Sequence, residues 1–171
     1  YNVVYVDGTL TVGKATPVIT WANPAGISYG TPLSATQLDA SSTTPGSFAY
    51  TPAVGAILPV GTDTLSVTFT PTDTATYTSV TQTATLTVSQ ATLTVTAANA
   101  SRAFGAANPA FTATATGAQN GDTFTLTAST AATASSPVGT YAITPLAAGS
   151  NLASYNVVYV DGTLTVGKAT P

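Results

Sequence analysis

Along most of the chain, apolar and polar residues alternate one by one. Thr64-Leu65-Ser66-Val67-Thr68-Phe69, Ala91-Thr92-Leu93-Thr94-Val95-Thr96 and Phe124-Thr125-Leu126-Thr127 all place an apolar side chain at every second position. That period of two belongs to a strand with one buried and one solvated face. No stretch sustains the 3.6-residue period of a helix. Between the alternating runs stand residues that favour turns: Asn23-Pro24, Thr44-Pro45-Gly46, Asn108-Pro109, Asn120-Gly121-Asp122 and Asp161-Gly162. Short strands divided by frequent turns predict an all-β chain of tandem small Ig-like β-sandwich modules.

The last alternating segment can be read in detail. With Asp161-Gly162 as a two-residue turn, Val160 opposes Thr163, Tyr159 opposes Leu164 and Val157 opposes Val166. Tyr155, Val157, Tyr159, Leu164 and Val166 then share the core face, with Thr163 and Thr165 outward. A single long strand with a bulge at Gly162 is the alternative. Gly162 is structural in either case.

The chain repeats itself. Residues 1–17, YNVVYVDGTLTVGKATP, recur unchanged at 155–171, an offset of 154. Inside that offset lies a fainter one of 78: Pro59-Val60-Gly61-Thr62 returns as Pro137-Val138-Gly139-Thr140, and Thr85-Leu86-Thr87-Val88 as Thr163-Leu164-Thr165-Val166. Tyr77 falls on Tyr155. Ala15-Thr16 and Tyr29-Gly30 match Ala91-Thr92 and Phe104-Gly105 with one residue of slippage. Two diverged copies of one module alternate, and Thr83-Ala84 occupies the place of Asp161-Gly162 without offering a turn.

Asp73-Thr74-Ala75-Thr76-Tyr77 has the spacing of a tyrosine corner, in which the phenol bonds back to the chain where it crosses between sheets. Asn151-Leu152-Ala153-Ser154-Tyr155 matches it. Tyr77 and Tyr155 are therefore expected to be structural. Trp21 is expected in the core, since a module of about 75 residues needs large side chains to fill its interior.

Pro17-Val18-Ile19-Thr20-Trp21, Ile27-Ser28-Tyr29-Gly30-Thr31-Pro32-Leu33-Ser34 and Val67-Thr68-Phe69-Thr70-Pro71-Thr72-Asp73 resemble the bacterial Ig-like repeats of very large surface proteins. Phe104-Gly105-Ala106, Asn108-Pro109, Asn120-Gly121-Asp122, Pro137-Val138-Gly139-Thr140-Tyr141 and Asp161-Gly162-Thr163-Leu164 resemble the MBG domain of the YGX type, with Phe104 in place of its Tyr. The second resemblance also implies a β-grasp-like fold as an alternative topology for that module. On these likenesses residues 1–14 are the closing strands of a preceding MBG-type module, 15–90 an Ig-like module, 91–168 an MBG-type β module and 169–171 the start of the next Ig-like one. Both resemblances imply repeated modules of secreted or surface-attached, adhesin-like bacterial proteins, with no catalytic residues to carry over.

Composition narrows the chemistry. Only 5% of residues are charged while 44% are hydrophobic, and the formal net charge is −3. With Lys14, Arg102 and Lys168 as the only cations there is no patch to neutralise phosphates, which argues against nucleic acid and an anionic membrane surface. Apolar runs are far shorter than a membrane span, so no insertion is expected of this segment. His, Cys and Met are absent, which removes triad catalysis, imidazole or thiolate metal sites and haem ligation. A carboxylate pair could be assembled only from Asp63 and Asp73, both in turn-forming sequence. No enzyme activity, cofactor or metal is expected. Lys14 and Lys168 lie in the Gly-Lys-Ala-Thr-Pro junction, a poor place for a buried Lys–Asn cross-link.

The expected function is that of a structural stalk or spacer in an extracellular bacterial surface or adhesin-like protein, its partners being the neighbouring repeats of the same chain. Two rivals stand beside it. Thr-rich edge strands with little charge invite homotypic pairing, which would make a secreted filament assembled by β-strand complementation. Trp21, Tyr29 and Tyr50 could instead form an aromatic platform for a carbohydrate-binding adhesion module.

Overall fold

The computed structural model describes residues 1–169; of the expected start of a next module, residues 170 and 171 lie outside the described residues. The chain is all-β, as its alternation predicts, and divides into two compact units.

The first unit takes in Tyr1–Ala25, Pro32–Ala56 and Thr62–Leu86. A small ladder pairs β1 (Ile19–Thr20) antiparallel with β3 (Ser41–Ser42), β2 (Ile27–Ser28) lying between them in sequence. β4 (Gly46–Thr51) pairs antiparallel with β5 (Gly61–Pro71), Phe48 opposite Phe69 and Tyr50 opposite Val67. β6 (Val80–Ser89) runs beside β5. The alternation sends Leu65, Val67 and Phe69 of β5 and Ala84 and Leu86 of β6 inward, where they are buried, while the intervening Thr residues face out. Gly46 has no room for a side chain: a Cβ there would lie 2.4 Å from the Phe69 ring and 2.5 Å from the Thr70 carbonyl.

The second unit takes in Gly26–Thr31, Ile57–Gly61 and the chain from Thr87 onward. Its strands are β7 (Ala91–Ala97), β8 (Ala100–Ala103), β9 (Ala113–Thr116), β10 (Thr125–Ser129), β11 (Gly139–Ala148), β12 (Tyr155–Val160) and β13 (Gly162–Gly167). They form a three-stranded sheet of order β12-β7-β9 and a four-stranded sheet of order β10-β11-β13-β8. Leu93 and Val95 of β7, Ala147 of β11 and Tyr155 of β12 meet in one buried cluster, and Ala97, Ile143, Leu164 and Val166 in another, so the two sheets close on each other as a sandwich. A β-grasp would need a helix packed on its sheet. Among the described residues the helical content is one 3-10 turn, Leu152–Ser154, which leaves the sandwich of the two topologies.

The closing segment departs from the hairpin that Asp161-Gly162 suggests. β12 pairs parallel with β7, Tyr155 opposite Ala91 and Val160 opposite Thr96. β13 lies in the other sheet, antiparallel to β11 and parallel to β8. Val160 therefore never faces Thr163; the chain passes from one sheet to the other at Asp161, in step with the crossing from β7 to β8. Tyr159, expected in the core, is 42% exposed on β12, whereas Tyr155, Leu164 and Val166 are buried as expected. Tyr159 shares the face of Tyr155 but stands towards the end of the edge strand β12, where Val158 and Val160 on the other face are exposed to the same degree.

Residues 1–14 have the sequence of residues 155–168 and none of their structure. They form no strand, and Tyr1, Val3, Val4, Tyr5, Val6, Leu10 and Val12 are all exposed.

Candidate functional site

The densest convergence of polar groups is built on a turn. Asn120 (φ 55°) and Gly121 (φ 76°) both take the left-handed backbone, a conformation open to Asn and Gly, and the Asp122 N–H closes the turn on the Gln119 carbonyl at 2.8 Å. The turn aims the Asp122 carboxylate at three donors. Tyr155 Oη donates to Oδ2 at 2.6 Å, Tyr29 Oη to the same oxygen at 3.1 Å, and Asn151 Nδ2 to Oδ1 at 2.6 Å. Tyr155 Oη in turn accepts the Gln119 N–H at 2.8 Å.

The rings beneath these hydroxyls are locked by packing. Tyr155 meets Tyr29 edge-on, centroids 5.5 Å apart at 80°, and Phe124 edge-on at 5.3 Å and 89°. The hydrogen bond from Tyr155, then those from Asn151 and Tyr29, hold the Asp122 carboxyl below its ordinary range. Burial, and then the bond to Asp122, push the Tyr155 phenol above its own. A carboxylate occupied by three donors is a weak base and a poor ligand. Its chemistry here is that of a clamp.

Tyr155 thus bonds to a turn 36 residues upstream rather than to the nearby chain, as a tyrosine corner would. Tyr77 sits in a parallel bridge with Ala15, and the upstream Asp73 caps the turn through Oδ1, accepting from Ala75 N–H at 3.0 Å and Thr76 N–H at 3.1 Å. The hydrogen bonds of that corner are therefore made by the aspartate and the backbone. A hydrogen bond from the Thr76 side chain, then those of the Thr76 and Ala75 N–H groups, lowers the Asp73 pKa. Asp63 lies at the start of β5 with a buried, unpartnered Oδ2. Among the described residues no group of three or more acidic side chains could hold a metal.

The aromatic platform is not assembled. Trp21 is buried, its Nε1 donating to the Gln37 carbonyl at 3.1 Å and its ring edge-on to Tyr50 at 5.6 Å. Tyr29 belongs to the core of the second unit. Beside Tyr50 lies a shallow depression of about 330 Å³ lined by Ala35, Leu38, Ala53 and Val54, with no array of polar groups to orient a sugar. Lys14 is exposed and donates to the Thr74 carbonyl at 2.7 Å; Lys168 is exposed as well. Arg102 spends its guanidinium on Asn108 Oδ1 at 2.7 Å and on the carbonyls of Ala103 and Thr133.

Gly162 is where close approach decides the residue. A Cβ there would stand 2.6 Å from the Ala98 carbonyl oxygen and 2.8 Å from that of Ala97. Neither Asp122 as the centre of a clamp nor the destination of Tyr29 was readable from the sequence. The signal available was the Asn-Gly turn that positions Asp122.

Compared with known proteins, residues 93–165 match the MBG domain of the YGX type. No curated protein matches the chain. Among solved structures the chain is similar to the fibronectin(III)-like modules of CbhA from Clostridium thermocellum, at 13% identity over 89% of this chain and 95% of that one, with a TM-score of 0.27.

Proposed function

We propose that the chain is a structural stretch of a tandem-repeat stalk in an extracellular bacterial surface protein. The observation that carries this reading is the unchanged recurrence of the segment that closes the MBG domain. Residues 155–168 supply strands to both sheets, and the same sequence stands at residues 1–14, ahead of the first strand of the first unit. A chain that repeats its closing element at an offset of 154 is suited to indefinite extension. The Asp122 clamp, the buried Trp21 and the guanidinium of Arg102 all spend their chemistry on the fold. The MBG match and the low charge fit a secreted module with no catalytic role, whose partners are its neighbours in the array.

Force-extension measurement on a single array tests this directly. A stalk gives a sawtooth of independent unfolding events, each releasing roughly 200 Å or more of contour for a module of about 75 residues. Extension without discrete events sinks the reading.

The rival is a filament assembled by strand complementation along the Thr-rich, sparsely charged edge strands. It requires the unaltered chain to associate as concentration rises. A carbohydrate-binding role has no comparable observation behind it.

A further inference from the structure

We propose that β12 is a homotypic docking edge, through which two copies of the second unit join by pairing Tyr155–Val160 antiparallel about a two-fold axis at Val158. This goes beyond the stalk reading, which holds whether or not stalks pair. It also differs from a filament, because a two-fold contact uses up the edge and closes at the dimer.

The edge is open along its length. β12 is the outer strand of the β12-β7-β9 sheet, and its register against β7 runs unbroken from Tyr155 to Val160. The Tyr155 N–H is turned away from β7, to the Leu152 carbonyl. Backbone groups alternate sides along a strand, so Asn156, Val158 and Val160 bond to β7 while Val157 and Tyr159 hold N–H and C=O to the open side. Edges are normally blunted by charge, proline or a bulge. β12 has none of these, and Val158, Tyr159 and Val160 are each 42% exposed. The other edges of the second unit differ: β8 carries Arg102, and β9 and β10 expose Thr and Ser.

The pattern of open groups selects a second copy in one register. A parallel ladder opposes a bonding residue to a non-bonding one, so two like edges cannot satisfy it symmetrically, whereas an antiparallel ladder opposes bonding residues to each other. With Val157 opposite Tyr159 of the second copy, and Tyr159 opposite its Val157, both residues of each edge spend their N–H and C=O groups. Centring on Val157 instead would call on the Tyr155 N–H, which Leu152 already holds. Centring on Tyr159 would bring in Asp161, where the chain leaves this sheet. In the chosen register Val158 meets Val158 and Asn156 meets Val160, which covers the exposed valines without opposing any charge.

Two short strands bury less than the roughly 1,200 Å² of a stable interface. Copies therefore separate at micromolar concentration and join towards about millimolar.

The test uses the full chain, whose lack of cysteine lets one thiol be placed at a time. Val158 faces its own copy as a non-hydrogen-bonded pair with Cα atoms about 4.5 Å apart, within the span of a disulfide. Under mild oxidation Val158→Cys should dimerise readily, and a mixture of Asn156→Cys and Val160→Cys should give the mixed dimer severalfold faster than either variant dimerises alone. Without added thiols, the Val157 and Tyr159 amides should exchange freely in the monomer and slow severalfold as concentration rises, while sedimentation shows dimers. Val158→Lys sets like charges opposite each other at the axis. It should stay monomeric with both amides open, protected β7 amides showing that the unit is folded, and Val158→Thr should pair as the unaltered chain does. The proposal is overturned if those two amides stay open at about millimolar concentration, if folded Val158→Lys associates like the unaltered chain, or if the cysteines cross-link without regard to position, a result that does not depend on the lysine variant. Growth past the dimer would also overturn it, in favour of the filament, and none of these results touches the force-extension test of the stalk.

Discussion

Asn99 Oδ1 accepts the backbone N–H of Thr163 at 2.8 Å, tying the two chain segments where both pass between sheets. The first unit repeats the arrangement with Asn23 Oδ1 and the N–H of Thr85 at 2.9 Å. Ala15 and Tyr77 likewise form the parallel bridge that Ala91 and Tyr155 form in the second unit. The faint offset of 78 in the sequence thus corresponds to a shared way of bringing the opening and closing strands together in parallel.

Replacing either asparagine with Ala removes an acceptor from a backbone N–H at this crossing. Asn99→Ala is expected to destabilise the second unit by about 1 kcal/mol, and Asn23→Ala the first by a similar amount. Urea denaturation should show a lower midpoint at an unchanged m-value. Asp at either position retains the acceptor and should recover most of the loss.

The glycine at the crossing offers an internal control. Gly162→Ala brings a methyl group against two backbone carbonyls and is expected to cost roughly 1–3 kcal/mol. Gly8→Ala, in an identical stretch of sequence, should change thermal stability by less than about 0.5 kcal/mol. Equal effects at the two positions would mean that local sequence, not close approach, sets the requirement.

The Asp122 clamp makes stability depend on pH in a stated sense. The Asp122 pKa is lowered by folding, so its contribution is complete above the ordinary carboxylate value of about 4 and is lost as pH falls through the lowered one. The Tyr155 pKa is raised, so its contribution is complete below about 10 and is lost as pH rises through the higher value. Thermal midpoints of the second unit measured across pH should fall at both ends. Asp122→Asn should flatten the acid limb and Tyr155→Phe the alkaline one.

Trp21 is the sole tryptophan and lies in the first unit. Its fluorescence should report the unfolding of that unit and leave unfolding confined to the second unseen. With the ring buried against Tyr50 and its N–H bonded to Gln37, oligosaccharides should leave the emission unchanged. A saturable shift on adding a sugar would restore the carbohydrate reading.

Alternation was sufficient to place β5, β7 and the buried faces of Leu65, Val67, Leu93, Val95, Leu164 and Val166, because burial on one side of a strand writes itself into every second residue. It was silent about which strand lies alongside. Asp161-Gly162 is a strong local hairpin signal, yet β12 and β13 take their partners from β7, β8 and β11, and long-range pairing overrides the turn. Tyr159 was misplaced because alternation assigns a face but not how far along the strand that face stays covered, and both faces are open at the end of β12. The tyrosine-corner spacing at Tyr155 pointed to the nearby chain, and its partner Asp122 was not legible, because a spacing of 33 residues leaves no local trace.

The central claim is that identical closing segments make this chain an extensible stalk. Small-angle scattering on arrays of one, two and three 154-residue repeats, over a range of concentrations, tests it most directly. The account predicts monomers whose maximum dimension grows by about 75 Å with each repeat, two modules of strands laid along the axis. A dimension that fails to grow with repeat number would contradict it.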